Sequence, residues 1–207
     1  MQSIKWRQFL DKGLPLGDKL ASITVGVFDG VHRGHQTLIE RVVSHNATSL
    51  NVQSASYVPV VFTFRQNHKT KDKEQKTENS NLRFGGQGDI QSFEERLAIL
   101  EKLGVQITVV IDFSEEFRRM RGNEFLKILL ERGNVGFFAV GSDFRCGYQL
   151  DTDAAAIKKF FSSHNIPVEI VPQVMEGTLP VSSSRIRAAI AAGDHTLAQA
   201  MMGGSHH

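Results

Sequence analysis

The sequence predicts an α/β fold, doubly wound around a mainly parallel sheet, in a single domain. Five apolar runs rich in β-branched and aromatic residues recur along the chain. They are continuous rather than alternating, as strands buried on both faces of a parallel sheet are. Helical stripes separate them, so strand and helix alternate from Ser22 to Ala192. A chain of 207 residues, 41% of them hydrophobic, is enough for one sizeable core.

The first run, "SITVGVF", predicts a strand over 23–28 that breaks at Asp29-Gly30. After Gly34, Leu38, Ile39, Val42 and Val43 share one face at helical spacing, predicting a helix over 34–45. "VPVVFTF" is the second strand. Ser92 and Glu95 read as a capping box for a helix carrying Phe93, Leu97, Leu100 and Leu103, stopped by Gly104. "VQITVVIDF" follows as a strand, then a helical stripe of Phe125, Ile128 and Leu129. "VGFFAVG" is the next strand, and Ile157, Phe160 and Phe161 mark the next helix. "IPVEIVP" ends near Val171, and a last helix carries Ile186 and Ile190 and ends at Gly193.

Composition narrows the function. A net charge of +2 is too weak to argue for nucleic acid or a membrane surface. No apolar run approaches the roughly 20 residues of a bilayer-spanning helix. "MQSIKWRQFLDKG" lacks the apolar stretch of a secretory signal, and the lone Cys146 excludes an intrachain disulfide. A cytoplasmic protein is expected, monomeric or weakly self-associating, with neither nucleic acid nor membrane as partner. The tail 203–207, "GGSHH", reads as the remnant of an expression tag, so the domain is taken as 1–202.

The stretch "VGVFDGVHRGHQ" carries the first chemical signal. His32 and His35 fall where a strand ends and a helix begins. Backbone N–H groups there lack partners and the helix dipole favours anions. Gly30 permits a tight turn, and Gly34 lets a ligand approach the backbone. Two imidazoles add donors able to carry charge near neutral pH. A polyphosphate suits the arrangement. Two other readings of the pair stay open, a metal site of His-x-x-His type and a purely structural role.

A second signal is "VSSSRIR", residues 181–187. Ser182, Ser183 and Ser184 can cap the final helix, with Arg185 and Arg187 one turn in. Alone this reads first as an ordinary capped helix. Paired with the histidine turn, it implies a nucleotide with a long phosphate tail. A third is "VGSDFRCG", where Asp143 can hydrogen-bond a heterocycle and Phe144 can stack on it. The plainer alternative is a turn with Phe144 filling core. Residues 65–81, charged and without aliphatic side chains, read either as a solvated loop or as a substrate loop after a strand end.

"GVFDGVHRGHQ" resembles the His-x-Gly-His signature of the adenylyltransferase superfamily, and "VSSSRIR" is similar to its Ser-Ser-Ser/Thr-x-x-Arg signature. With "VVFTF" and "GSDFRCG" in order between them, the chain resembles bacterial FAD synthase. That is the FMN adenylyltransferase module of the riboflavin kinase/FAD synthase family. The likeness runs from about residue 20 to 202.

The resemblance implies a Rossmann-like nucleotidyltransferase fold and the transfer of AMP from ATP to FMN, giving FAD and pyrophosphate. It implies that His32, His35 and Arg187 are catalytic. Gly26, Val27, Phe28, Asp29, Gly34, Ser183 and Ser184 would hold the nucleotide. Phe62, Phe64, Asn67, His68, Asp143 and Phe144 would contact the flavin. Mg2+ would bridge phosphates rather than sit in a protein cage, so no protein metal ligand is expected.

Three departures from the family pattern stand out. The Pro-His-Pro that usually follows Thr-Phe is "QNHKT" here, with both prolines absent, so a less rigid loop is expected. Cys146 stands where the family often has an aromatic. No riboflavin kinase block follows, so no kinase domain is expected. Two rivals share the histidines: another nucleotidyltransferase acting on a different phosphorylated substrate, and a non-catalytic flavin-binding or sensing module.

Overall fold

In the computed structural model, residues 1–48, 56–65, 89–112 and 114–203 are described. Six strands form one sheet: β1 (Gln2–Lys5), β2 (Leu20–Val25), β3 (Tyr57–Arg65), β4 (Ile107–Asp112), β5 (Val135–Gly141) and β8 (Val168–Val171). Their order is β1-β4-β3-β2-β5-β8, and every pair is parallel. From β2 the chain winds outward through β3 and β4, then returns to β5 on the other side of β2. The reversal opens a crevice at the carboxyl ends of β2 and β5, where open α/β sheets bind ligands.

Both faces of the sheet are buried, which is why the strands read as continuous apolar runs. Ala21, Ile23 and Val25 of β2 and Val60 and Phe62 of β3 face one core. They pack there against Phe9 of α1 (Trp6–Lys12), Leu126 and Leu129 of α5 (Gly122–Arg132) and Ile157 and Phe161 of α6 (Ala154–Ser162). On the opposite face, Val61, Phe137 and Ala139 meet Leu38, Ile39 and Val42 of α2 (Arg33–Thr48) and Leu100 of α3 (Phe93–Lys102). The two buried hydroxyls of β2 are on Ser22 and Thr24; Ser22 Oγ donates to the Val42 carbonyl at 2.7 Å.

The expected capping box on α3 is present: the Ser92 side chain accepts from the Glu95 N–H at 3.2 Å, and Glu95 accepts from the Ser92 N–H at 2.7 Å. α7 (Ser183–Ala191) and α8 (His195–Met202) pair around Ile186 and Met201 in a small third core.

Several elements escaped the pattern. β1 and α1 share four-to-seven-residue lengths and little periodicity, and α4 (Glu115–Arg119) is a single turn. α8 was missed after Gly193. Two short hairpins, β6 (Arg145–Cys146) with β7 (Thr152–Asp153) and β9 (Met175–Glu176) with β10 (Leu179–Pro180), lie in what read as loops.

The first strand also ends earlier than the apolar run does. It stops at Val25 rather than Phe28, because Phe28 takes a left-handed backbone, φ +54°, and turns its ring into the core. Gly203, grouped with the tail from sequence, is the left-handed C-cap of α8, its N–H donating to the Gln199 carbonyl. Residues 204–207 lie outside the described residues.

Candidate active site

The turn from β2 into α2 is set by its neighbours. Gly30 is left-handed, φ +57°, and a Cβ there would fall 2.7 Å from Ile90. A Cβ on Gly26 would meet the Phe28 ring at 2.9 Å, so the ring occupies space that only glycine leaves. Gln91 Oε1 accepts from the Val31 N–H at 2.9 Å. Gln36 donates from Nε2 to the Val31 carbonyl at 2.8 Å and to the Met202 carbonyl at 2.9 Å, tying the turn to α8.

His32 and His35 stack face to face, ring centroids 3.7 Å apart, and His35 meets the Phe28 ring edge-on at 5.1 Å. Burial pushes the His32 imidazole down to about 4, against the Asp143 carboxylate and a backbone hydrogen bond that pull it up. Burial and the neighbouring His32 push His35 down to about 3; the Gly30 backbone opposes this, and Arg96 adds to it. The expectation of charge near neutral pH is therefore corrected. In the ligand-free protein both rings are neutral at pH 7, because taking an imidazolium out of water costs more than these surroundings return. They act as hydrogen-bonding groups, and His35 Nδ1 is buried without a partner.

The second helix end is stitched to the first. Ser182 caps α7, its side chain accepting from the Arg185 N–H at 3.2 Å. Ser183 Oγ donates to the Asp29 carbonyl at 2.7 Å. Asp29, 3% exposed, accepts from the Ile90 N–H at 3.0 Å and forms an ion pair with Arg187. Both anion-ready helix ends thus open on one cleft of about 340 Å³. Its walls are Gly26–Phe28 with His32, Gly34 and His35; Gly141, Asp143 and Phe144; Pro172–Val174; and Ser182 with Ser183. Gln173 Nε2 donates to Asp143 Oδ2 at 3.0 Å across the rim.

The expected site residues divide accordingly. Gly26, Val27, Phe28, His32, Gly34, His35, Asp143, Phe144 and Ser183 come together around the cleft. Asp29 and Arg187 form an ion pair and are not among the residues lining the cleft, nor is Ser184, which is exposed. Phe62 is different: it is fully buried, edge-on to Phe9 at 5.1 Å and to Trp6 at 6.5 Å, and it fills core rather than facing a ligand. Phe64 is nearly buried at the end of β3, beside Phe117 at 5.7 Å. Asn67 and His68 lie outside the described residues.

Sequence reasoning missed Arg96 and Gln173. Arg96 had a signal, since a charged residue three after Phe93 and four before Leu100 sits on the apolar stripe of α3. Gln173, in an irregular stretch after β8, had none.

Comparison with known proteins places the chain in a family. The sequence model of the FAD synthetase family matches residues 17–185. The bifunctional riboflavin kinase/FMN adenylyltransferase of Escherichia coli K12 is 25% identical over 183 residues, covering 87% of this chain and 53% of that protein. A Geobacillus thermodenitrificans protein provisionally named for the same two activities is 30% identical, covering 87% of this chain and 88% of that one. The crystal structure of a protein described as a macrolide-efflux protein from Streptococcus pneumoniae superposes with a TM-score of 0.75 at 26% identity, covering 99% of this chain and 60% of that one. The chain spans about half the length of the E. coli relative. With the family's sequence model covering most of its length and both helix ends converging on one cleft, the chain belongs to the FAD synthetase family.

Proposed function

We propose that this chain is an FMN adenylyltransferase, transferring AMP from ATP to FMN to give FAD and pyrophosphate. The observation that carries the reading is the convergence of the α2 and α7 N-termini, with His32, His35 and Ser183, on one cleft. In the proposed reaction an oxygen of the FMN phosphate attacks the α-phosphorus in line. A new P–O bond joins the two nucleotides, and the bond to the β-phosphate breaks as pyrophosphate leaves. The attacking phosphate is already anionic at pH 7, so no general base is required. Catalysis is then positioning plus stabilisation of charge by preorganised donors. His32 and His35 stabilise the reacting phosphates, while the Asp29–Arg187 pair holds α7 against the turn. Asp143 and Phe144 are the groups at hand for a heterocycle. Cys146, its thiol pushed up to about 12 by burial and by Asp151, takes no part.

Mg2+ fits this site as a guest of the nucleotide. Among the described residues no three His, Cys, Asp or Glu side chains converge. Of the site's carboxylates, Asp29 is committed to Arg187 and Asp143 stands at the rim. When bound, the ion would neutralise phosphate charge, and among the described residues Asp143 is the carboxylate on the cleft wall that could help to hold it. The proposed setting is the cytoplasm; no helix among the described residues is long and apolar enough to cross a membrane.

The test is to incubate the protein with FMN, ATP and Mg2+ and follow FAD by chromatography, with riboflavin in parallel. FAD from FMN is the expected result. No FAD, with flavin still bound, would overturn the catalytic reading in favour of a flavin-binding module.

A further inference from the structure

Arg96 lies on the buried face of α3 and is 3% exposed. It reaches the turn between β2 and α2, where Nη1 donates to the Val27 carbonyl at 2.7 Å. Thr63 Oγ1 donates to the same carbonyl at 3.1 Å. The Phe93 ring lies 5.2 Å from the guanidinium carbon. Nε is buried without a hydrogen-bond partner, so this arginine is not fully served by its surroundings. Burial disfavours its charge, and the nearby carboxylates of Asp89, Asp29 and Glu94 work against that cost.

The carbonyl it grips belongs to the peptide leading into Phe28. That residue holds a left-handed backbone, φ +54°, which bulky side chains avoid and which persists only where neighbours over-determine it. Two donors on one carbonyl fix the plane of that peptide. The Phe28 ring lies against His35, 5.1 Å between centroids, while Val27 stays 39% exposed at the cleft.

We propose that Arg96 is a positioning residue for adenylyl transfer: its buried guanidinium clamps the Val27–Phe28 peptide and so sets the ring wall against which His35 is held. This inference rests on the adenylyltransferase reading. Arg96 touches no substrate and acts through Phe28 and His35. Its loss should lower turnover more than substrate affinity, because the contacts offered by Ser183 and the α7 N-terminus stay in place while the reacting geometry at His35 loosens.

The test combines kinetics of FAD formation with NMR of the free protein. In Arg96→Met, kcat is expected to fall about 10–100-fold, with KM for ATP within about threefold of wild type. The Phe28 Cα and Cβ shifts should leave their left-handed values. Thr63→Val, which removes the second donor, should lower kcat by a smaller factor in the same direction. A folded Arg96→Met with wild-type kcat and unmoved Phe28 shifts would overturn the proposal. If that variant does not fold, Arg96→Lys decides: it keeps the charge and loses the planar fork. Reduced kcat with moved Phe28 shifts supports the clamp, and wild-type values for both overturn it. Absence of FAD formation in wild type would instead remove the adenylyltransferase reading. The Phe28 shifts, read without substrate, would still judge the clamp.

Discussion

Replacing His35 by Asn should make the protein's stability less sensitive to acid, by an amount the structure sets. In the native state the His35 imidazole is held down to about 3 by burial and by His32. In the unfolded chain it titrates near 6.5. Between these values the unfolded state carries a proton that the native state refuses, so stability falls as pH drops through 6.5 and levels off only near the folded value. From pH 7.5 to 5.0 that difference integrates to about 2 kcal/mol for one histidine. His32, held at about 4, contributes a similar loss over the same window. Asn keeps a side-chain N–H and cannot titrate, so His35→Asn should remove about half of the pair's contribution. Urea unfolding of wild type and variant at the two pH values measures this, and carboxylate effects common to both cancel. The wild type should lose about 2 kcal/mol more than the variant. Equal losses in the two proteins would refute burial as the source of the neutral imidazoles.

Other outcomes follow from the same geometry. Binding of Mg2+-ATP should take up protons near pH 6, because an anion against the rings favours their charged form; titration calorimetry in buffers of different ionisation enthalpy reads the uptake, and its absence would separate the histidines from the phosphates. His32→Ala and His35→Ala should each lower kcat for FAD formation about 10²–10³-fold, the scale of one preorganised donor. Phe62→Ala should cost about 3–5 kcal/mol in urea unfolding, as the loss of a fully buried aromatic does, while leaving KM for FMN near wild type. A raised KM with little loss of stability would return Phe62 to the flavin site.

The α/β alternation was legible because both faces of the sheet are buried, and that leaves continuous apolar runs separated by helical stripes. β1 and α1 were not, since an edge strand with one buried residue in four has no such run. The capping serines and the histidine turn could be read because helix N-termini demand particular local chemistry. Phe62 could not be assigned from its neighbours. Strand residues alternate between faces, and which face meets a ligand depends on elements distant in the chain, here Trp6 and Phe9.

The sequence by itself determined the fold class, the order of the sheet-and-helix units and the residue types at the two helix ends, since each follows from short-range periodicity and capping. Tertiary structure alone decided the rest. It joined Asp29 to Arg187 across 158 positions, removed the charge from both histidines by burying them, and brought Arg96 to the turn. Desolvation and long-range pairing arise only when segments far apart in the chain exclude water together.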